Sequence, residues 1–246
     1  MPTGESGGNP AQTIDRKTRD SLVIAILDRI TTGAIAIDEE LSERQLADQL
    51  GVSRVPIREA LTLLVRDGVV AQVPRVGIRV LMPTRAEVEE LFLLRLGLEP
   101  LGVERLASNA HASVDRVEYF LTAANEASRG EQGAAFLALE AQFHISMAET
   151  AGYRAAAVSL ATWTSRLRIY RAGDPPSNFE MSEMIVEDLD VWRAIQGGDA
   201  AAALDHIRRH LMDSSSRFLH ESSLEAWQGS LIRTGPMANR PVAKSH

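Results

Sequence analysis

The stretch from Ser42 to Leu81 restricts the fold of this chain more tightly than any other, because its hydrophobic period changes there from helical to strand-like. Ser42, with Gln45 three residues on, fits a capping box that opens a short helix through Leu46, Ala47 and Leu50 and ends at Gly51. Ser53 can cap a further helix, in which Pro56 is tolerated because first-turn amides have no intrahelical partner. Ile57, Ala60, Leu61 and Leu64 then recur at the spacing of a buried stripe. After Gly68 the β-rich runs VVAQV and IRVL flank Pro74, Arg75, Val76 and Gly77, which reads as a hairpin with its turn at the tip. Upstream, Leu22, Ile24, Ala25, Ile26, Leu27 and Ile30 give a broad apolar face to a helix from Asp15 to about Thr32, with Gly33 as its stop. The order is helix, helix, helix, β-wing: a winged helix-turn-helix.

Beyond Met82 the pattern is helical throughout. Thr84 with Glu87 caps a long helix to about Ser108, and Ser177 with Glu180 repeats the device after Pro175 and Pro176. Further helices are expected over about 113–129, 131–150, 154–171, 178–197 and 199–225. The fold class is mainly α: a winged helix-turn-helix over 13–82 and an all-α antiparallel helical bundle over 83–230. The Gly- and Pro-rich start, 1–12, and the tail 231–246 lack apolar periodicity and are expected to be disordered. Pro100 is expected to bend the long helix.

Charge and composition narrow the function. The absence of cysteine excludes disulfides, thiolate metal sites and thiol nucleophiles, so a metal would need His, Asp, Glu or water. No apolar run reaches the roughly 18 residues that span a bilayer, and the start has neither the basic flank nor the apolar stretch of a signal peptide. A cytoplasmic protein without membrane contact is expected. The net charge is -7, yet from Arg44 to Arg79 there are six Arg and no Lys against Asp48, Glu59 and Asp67. The basic surface is therefore local, which is what a sequence-selective nucleic-acid binder needs.

Two short helices around Gly51-Val52-Ser53 can lay the second in the major groove. Ser53, Arg54 and Val55 would occupy its N-terminal end, where Arg54 can reach a guanine edge bidentately, with Arg58 and Arg44 spaced to meet phosphates or a base. Each arginine taken alone reads equally well as a solvated helix face. The segment LSERQLADQLGVSRVPIREALTLLVRDGVV, however, closely resembles the winged helix-turn-helix of the GntR family of bacterial regulators over residues 20–82. That resemblance implies that Arg44, Ser53, Arg54, Val55, Pro56 and Arg58 contact a palindromic double-stranded operator. It also implies that Gly77 lets the wing approach the minor groove, although the wing reads PRVGIRV where the family often has NRGAFV.

In the helical half, Arg95 and Glu99 lie four apart beside the stripe Val88, Leu91, Leu98 and Gly102, where an ion pair is the simple reading. Leu137, Glu140, His144 and Met147 follow helical spacing, which puts a carboxylate and an imidazole one turn apart on an inward face. A pair of this kind can share a divalent cation, although a hydrogen-bonded core pair is commoner. RLGLEPLGVERLA and ALEAQFHISMAETAGY resemble the FCD effector domain of the FadR subfamily of GntR regulators. The resemblance implies a metal site at Glu140, His144, Asp188 and His210, with Glu140 where Asp is usual and Asp188 where His is usual. It also implies a homodimer and a small organic-acid effector anchored by Arg95. Mn²⁺, Zn²⁺ and Ni²⁺ are the candidate ions, and the extra carboxylate favours a harder one such as Mn²⁺.

Tyr170 and Arg171, with Arg166 and Arg168, read either as the lining of a pocket for an acidic effector or as helix surface. Two other functions stay open at this level: a metal-free regulator of a larger ligand such as an acyl-CoA, and a metal-dependent hydrolase. The second lacks any nucleophile motif or phosphate loop, so no enzyme is expected.

Overall fold

The computed structural model describes residues 10–219, apart from 38, 76 and 110–113. The first unit comprises α1 (Pro10–Thr31), β1 (Glu40–Leu41), α2 (Glu43–Leu50), α3 (Arg54–Arg66), β2 (Val70–Val73) and β3 (Gly77–Val80). The helix α1 starts earlier than expected, because residues 10–14 carry no apolar periodicity from which to read it. The predicted capping box forms at Ser42, and Gly51 ends α2 in the left-handed conformation. The predicted stripe of α3, Ile57, Ala60, Leu61 and Leu64, is buried against Ile26, Ile30, Leu46 and Val80.

Sequence reading missed β1. It pairs antiparallel with β3, Glu40 opposite Arg79 and Leu41 opposite Ile78, giving a three-stranded sheet of order β1-β3-β2. Gly77 opens β3 opposite Val73, with φ +143. A Cβ there would overlap the carbonyl oxygen of Leu41, so the fold itself demands glycine where strand meets strand. Gly77→Ala is expected to cost about 1–3 kcal/mol or more of unfolding free energy, from the disallowed φ and the backbone clash together. Equilibrium denaturation checks this, and an unchanged midpoint would contradict it.

The second unit contains α4 (Arg85–Ala107), α5 (Asp115–Arg129), α6 (Gly133–Thr150), α7 (Arg154–Tyr170), α8 (Asn178–Gln196) and α9 (Ala200–Phe218). Both predicted capping boxes, at Thr84 and Ser177, are present. The helix α4 runs unbroken through Pro100 and packs against α6, α7, α8 and α9. The core gathers Phe92, Phe136, Phe143, Val191, Ile207 and Leu211. The ends 1–9 and 220–246, including the expected disordered tail and the last turns of the helix expected to reach 225, lie outside the described residues. Among those described, no helix is long and apolar enough to cross a membrane.

Met82 packs against both cores, and a side chain of the bundle crosses into the core of the first unit. On the last turn of α7, Leu167 and Tyr170 join the bundle core, whereas Ile169, fully buried, joins the core of the first unit.

Candidate functional site

Two groups of residues carry chemistry, one on the surface of the first unit and one inside the bundle. On the first, α3 buries one face and leaves Arg54, Val55 and Arg58 exposed near its N-terminal end. Arg44 on α2 is also exposed, 3.7 Å from Asp48. Pro56 is partly covered.

Ser53 takes the N-cap position of α3 with extended backbone, but its side chain makes no capping bond. The cause is local: a capping hydroxyl accepts from the second or third helical amide, and the third residue is Pro56, which has no N–H. The expectation that Ser53 caps α3 through its side chain is therefore corrected, and its hydroxyl stays exposed beside Arg54. Arg58 is not idle either. Its guanidinium grips Glu43 of α2, Nε donating to both carboxylate oxygens at 3.0 and 3.2 Å and Nη2 donating at 2.8 Å. That hydrogen bond holds the Glu43 carboxyl below its usual range. Arg54 has no ion pair among the described residues. The hairpin tip presents Pro74 and Arg75, the latter at φ 67, whereas Gly77 lies inside the sheet.

In the bundle, α4, α6, α8 and α9 bring Arg95, Glu99, Glu140, His144, Asp188 and His210 into one buried group. Arg95 Nε donates to Glu99 Oε1 at 2.5 Å, and its Nη2 lies 3.8 Å from Glu140. His144 has Nδ1 2.6 Å from Glu99 Oε2 and Nε2 3.0 Å from Glu140 Oε1. His210 has Nδ1 3.0 Å from Glu187 Oε2 and Nε2 3.6 Å from Glu140. The two imidazoles stack with ring centres 5.0 Å apart. Ligand atoms of Glu140, His144 and His210 all lie within 4.8 Å of one another. Asp188 Oδ1 stands beside this trio, 3.5 Å from His144 Nε2 and 3.5 Å from His210 Nδ1.

Burial alone would raise the Glu99 carboxyl, yet the charges of Arg95 and His144 outweigh it and hold the group at about 2. Glu140, opposed by the same burial, is held well below its ordinary value by His144, His210 and Arg95. Burial lowers His210, but Asp188, Glu140 and Glu187 carry it up to about 9, and Glu99 and Glu140 likewise raise His144 well above its ordinary value. Even so the group is not internally satisfied. Arg95 Nη2, both nitrogens of His144, both oxygens of Asp188 and Nε2 of His210 are buried without a hydrogen bond of good geometry. Of these, Nε2 of His144 and Nε2 of His210 both lie near Glu140 Oε1, and a bound cation or polar ligand would satisfy such atoms.

Sequence reasoning placed Glu140, His144, Asp188 and His210 together, and Arg95 beside them. It missed Glu99 and Glu187 as the carboxylates that hold the two Nδ1 atoms, the arrangement by which metal-binding histidines are usually oriented. Arg168 and Arg171 border a small cavity with Thr31, Ala134, Leu137, Ala172 and Pro175, and all three arginines at the end of α7 are engaged by protein partners. Arg166 binds Glu87, Arg168 binds Asp28 and Thr31, and Arg171 binds the carbonyls of Asp174 and Arg217.

Comparison with known proteins agrees with this division. Residues 18–80 match the model of the gntR family of bacterial regulatory proteins, and residues 90–213 match the FCD domain. The chain is 25% identical over 201 residues to an HTH-type transcriptional regulator in an unstable DNA locus of Streptomyces ambofaciens, covering 82% of this chain and 85% of the relative. It is 38% identical over 89 residues to the gluconate operon transcriptional repressor of Bacillus licheniformis, covering 36% of this chain and 35% of the repressor. The crystal structure of a GntR transcriptional regulator from Rhodococcus sp. RHA1 shares the fold at a TM-score of 0.70, with 22% identity, over 82% of this chain and 98% of that one.

Proposed function

This chain belongs to the gntR family of bacterial regulatory proteins that carry an FCD domain, and from that premise we propose that it is a cytoplasmic homodimeric repressor whose grip on a palindromic operator changes when a small organic acid and a divalent cation enter the bundle. It is a DNA-binding transcription regulator, in a family of regulators and not of enzymes. Ser53, Arg54 and Val55 meet base edges, Arg44 and Arg58 meet phosphates or a base, and Pro56 shapes the start of α3. The wing contributes through Arg75 at its tip, with Gly77 holding the sheet that carries it.

In this reading Glu140, His144 and His210 hold the cation, with the orphaned oxygens of Asp188 beside them, and Arg95 directs its free Nη2 toward a carboxylate of the acid. One observation carries it: both imidazoles have Nδ1 against a carboxylate, which turns Nε2 of each toward Glu140. Charge supports it as well. With both imidazoles neutral, the carboxylates of Glu99, Glu140 and Asp188 exceed the guanidinium of Arg95 by two, the charge of a divalent cation. The oxygen-rich set favours Mn²⁺ over Zn²⁺ or Ni²⁺. When bound, the cation supplies a Lewis-acid anchor for the acid and ties α6 to α9.

The test is metal analysis of protein purified without chelator, beside the His144→Ala, His210→Ala double variant. The reading expects a stoichiometric divalent ion in the first and little in the second. Equal metal in both would remove the site and favour a metal-free sensor of a larger ligand.

A further inference from the structure

We infer that Glu187 and Arg217 are positioning residues that carry the state of the buried site to the DNA-binding unit, through Arg171 and the end of α7. Among the described residues, every polar contact of Arg95, Glu99, Glu140, His144 and Asp188 stays within the group. The one link that leaves it runs from His210 Nδ1 to Glu187. Glu187 in turn takes both terminal nitrogens of Arg217, Nη1 at 2.9 Å and Nη2 at 2.5 Å. The backbone carbonyl of Arg217 accepts from Arg171 Nη1 at 3.2 Å, and the Arg171 guanidinium lies 5.2 Å from the centre of the Phe218 ring.

Arg171 stands directly after α7, at the point where that helix reaches across to the other unit. Ile169 is sealed in the winged-helix core, and Arg168 Nη2 donates to Asp28 Oδ1 at 2.9 Å and to Thr31 Oγ1 at 3.2 Å, both on α1. The helix α1 packs on α3, which carries Arg54. A shift of His210 therefore has an unbroken route of charge-assisted contacts and packed side chains to the helix that meets DNA. Packing alone does not explain this route. Glu187 serves both sides: its Oε2 lies against His210 Nδ1 and both of its oxygens accept from Arg217, so the carboxylate that orients the imidazole is also the one tied to the relay. Coupling between sites is carried by contiguous elements of this kind when both ends bias one arrangement.

The inference rests on the reading that Glu140, His144 and His210 bind a divalent cation, and Mn²⁺ is the probe. Calorimetry measures Mn²⁺ binding to the full-length wild type, Arg217→Met and Arg168→Met, and amide exchange is followed with and without Mn²⁺. In the wild type, Mn²⁺ is expected to change exchange roughly fivefold or more at residues 22–31 and 166–171 as well as around the site. Arg217→Met keeps Glu187 on His210, so it should still bind Mn²⁺ and respond around 140–144 while both distant segments fall silent. Arg168→Met, which cuts the last step, should silence 22–31 alone. A response at 22–31 in Arg217→Met equal to that of the wild type would overturn the relay, as would a wild type that binds Mn²⁺ and responds only at the site. A wild type that binds no Mn²⁺ would overturn the cation reading, and the relay with it.

Discussion

Replacing Arg54 with alanine is expected to weaken binding to the preferred duplex roughly 30-fold to 10⁴-fold while nonspecific binding falls far less. A bidentate arginine contact to guanine is worth about 1–3 kcal/mol of discrimination, and a two-fold operator counts it twice. The structure singles out this residue among the six arginines of the basic stretch. It is the first residue of α3, exposed, beside a serine hydroxyl that Pro56 leaves unspent, and without an ion pair among the described residues. Arg58 differs because Glu43 must release it first, at the small cost of an exposed pair. Arg58→Ala should therefore act mainly on overall affinity and lower the salt dependence by about two counterions, one per half-site. Anisotropy titrations of specific and scrambled duplexes at several salt concentrations separate the two, and equal losses on both duplexes for Arg54→Ala would refute the assignment.

Arg95→Met should destabilise the chelator-treated protein by about 3–5 kcal/mol, the usual result of removing one member of a buried charge pair. Arg95 is 2% exposed; its charge is the largest influence that keeps Glu99 ionised, and it adds to His144 and His210 in keeping Glu140 so. Burial penalises both carboxylates, and without the guanidinium they must either stay charged in a dry interior or take up protons. In melting temperature this is a fall of roughly 6–20 °C for a protein of this size. The double variant Arg95→Met, Glu99→Gln removes the orphaned charge along with its partner and should recover part of the loss. A single variant as stable as the wild type would mean that the network is looser than its distances imply.

The elements that sequence disclosed were those written in local chemistry. The three capping boxes, the left-handed Gly51 and the buried stripe of α3 depend on residues within a turn of one another, and each appears as expected. The four proposed cation-site residues were legible because Glu140 and His144 lie one turn apart and the family pattern supplied the other two. What sequence hid was long-range. The two residues of β1 have no period to detect, and their partner lies nearly forty positions on. Glu43 meets Arg58 across fifteen positions and a turn. Glu187 and Asp188 are neighbours on α8 that both approach His210 Nδ1, and only the placement of α9 decides which one also reaches Arg217. The arginines at the end of α7 read as surface or pocket because nothing local marks the junction of two cores. Ser53 failed as a side-chain cap through a residue in plain view, Pro56, whose missing amide was weighed for the helix but not for the cap.

The proposed coupling is that occupancy of the bundle alters operator binding. It is tested most directly by titrating the full-length protein against a palindromic duplex selected from a random pool, with and without Mn²⁺ and a panel of small organic acids. The ligands should change the operator dissociation constant by fivefold or more, the usual lower range of coupling between sites, and Arg217→Met should erase the change while binding DNA alone as the wild type does. An operator affinity unmoved by ligands that calorimetry shows to be bound would contradict it.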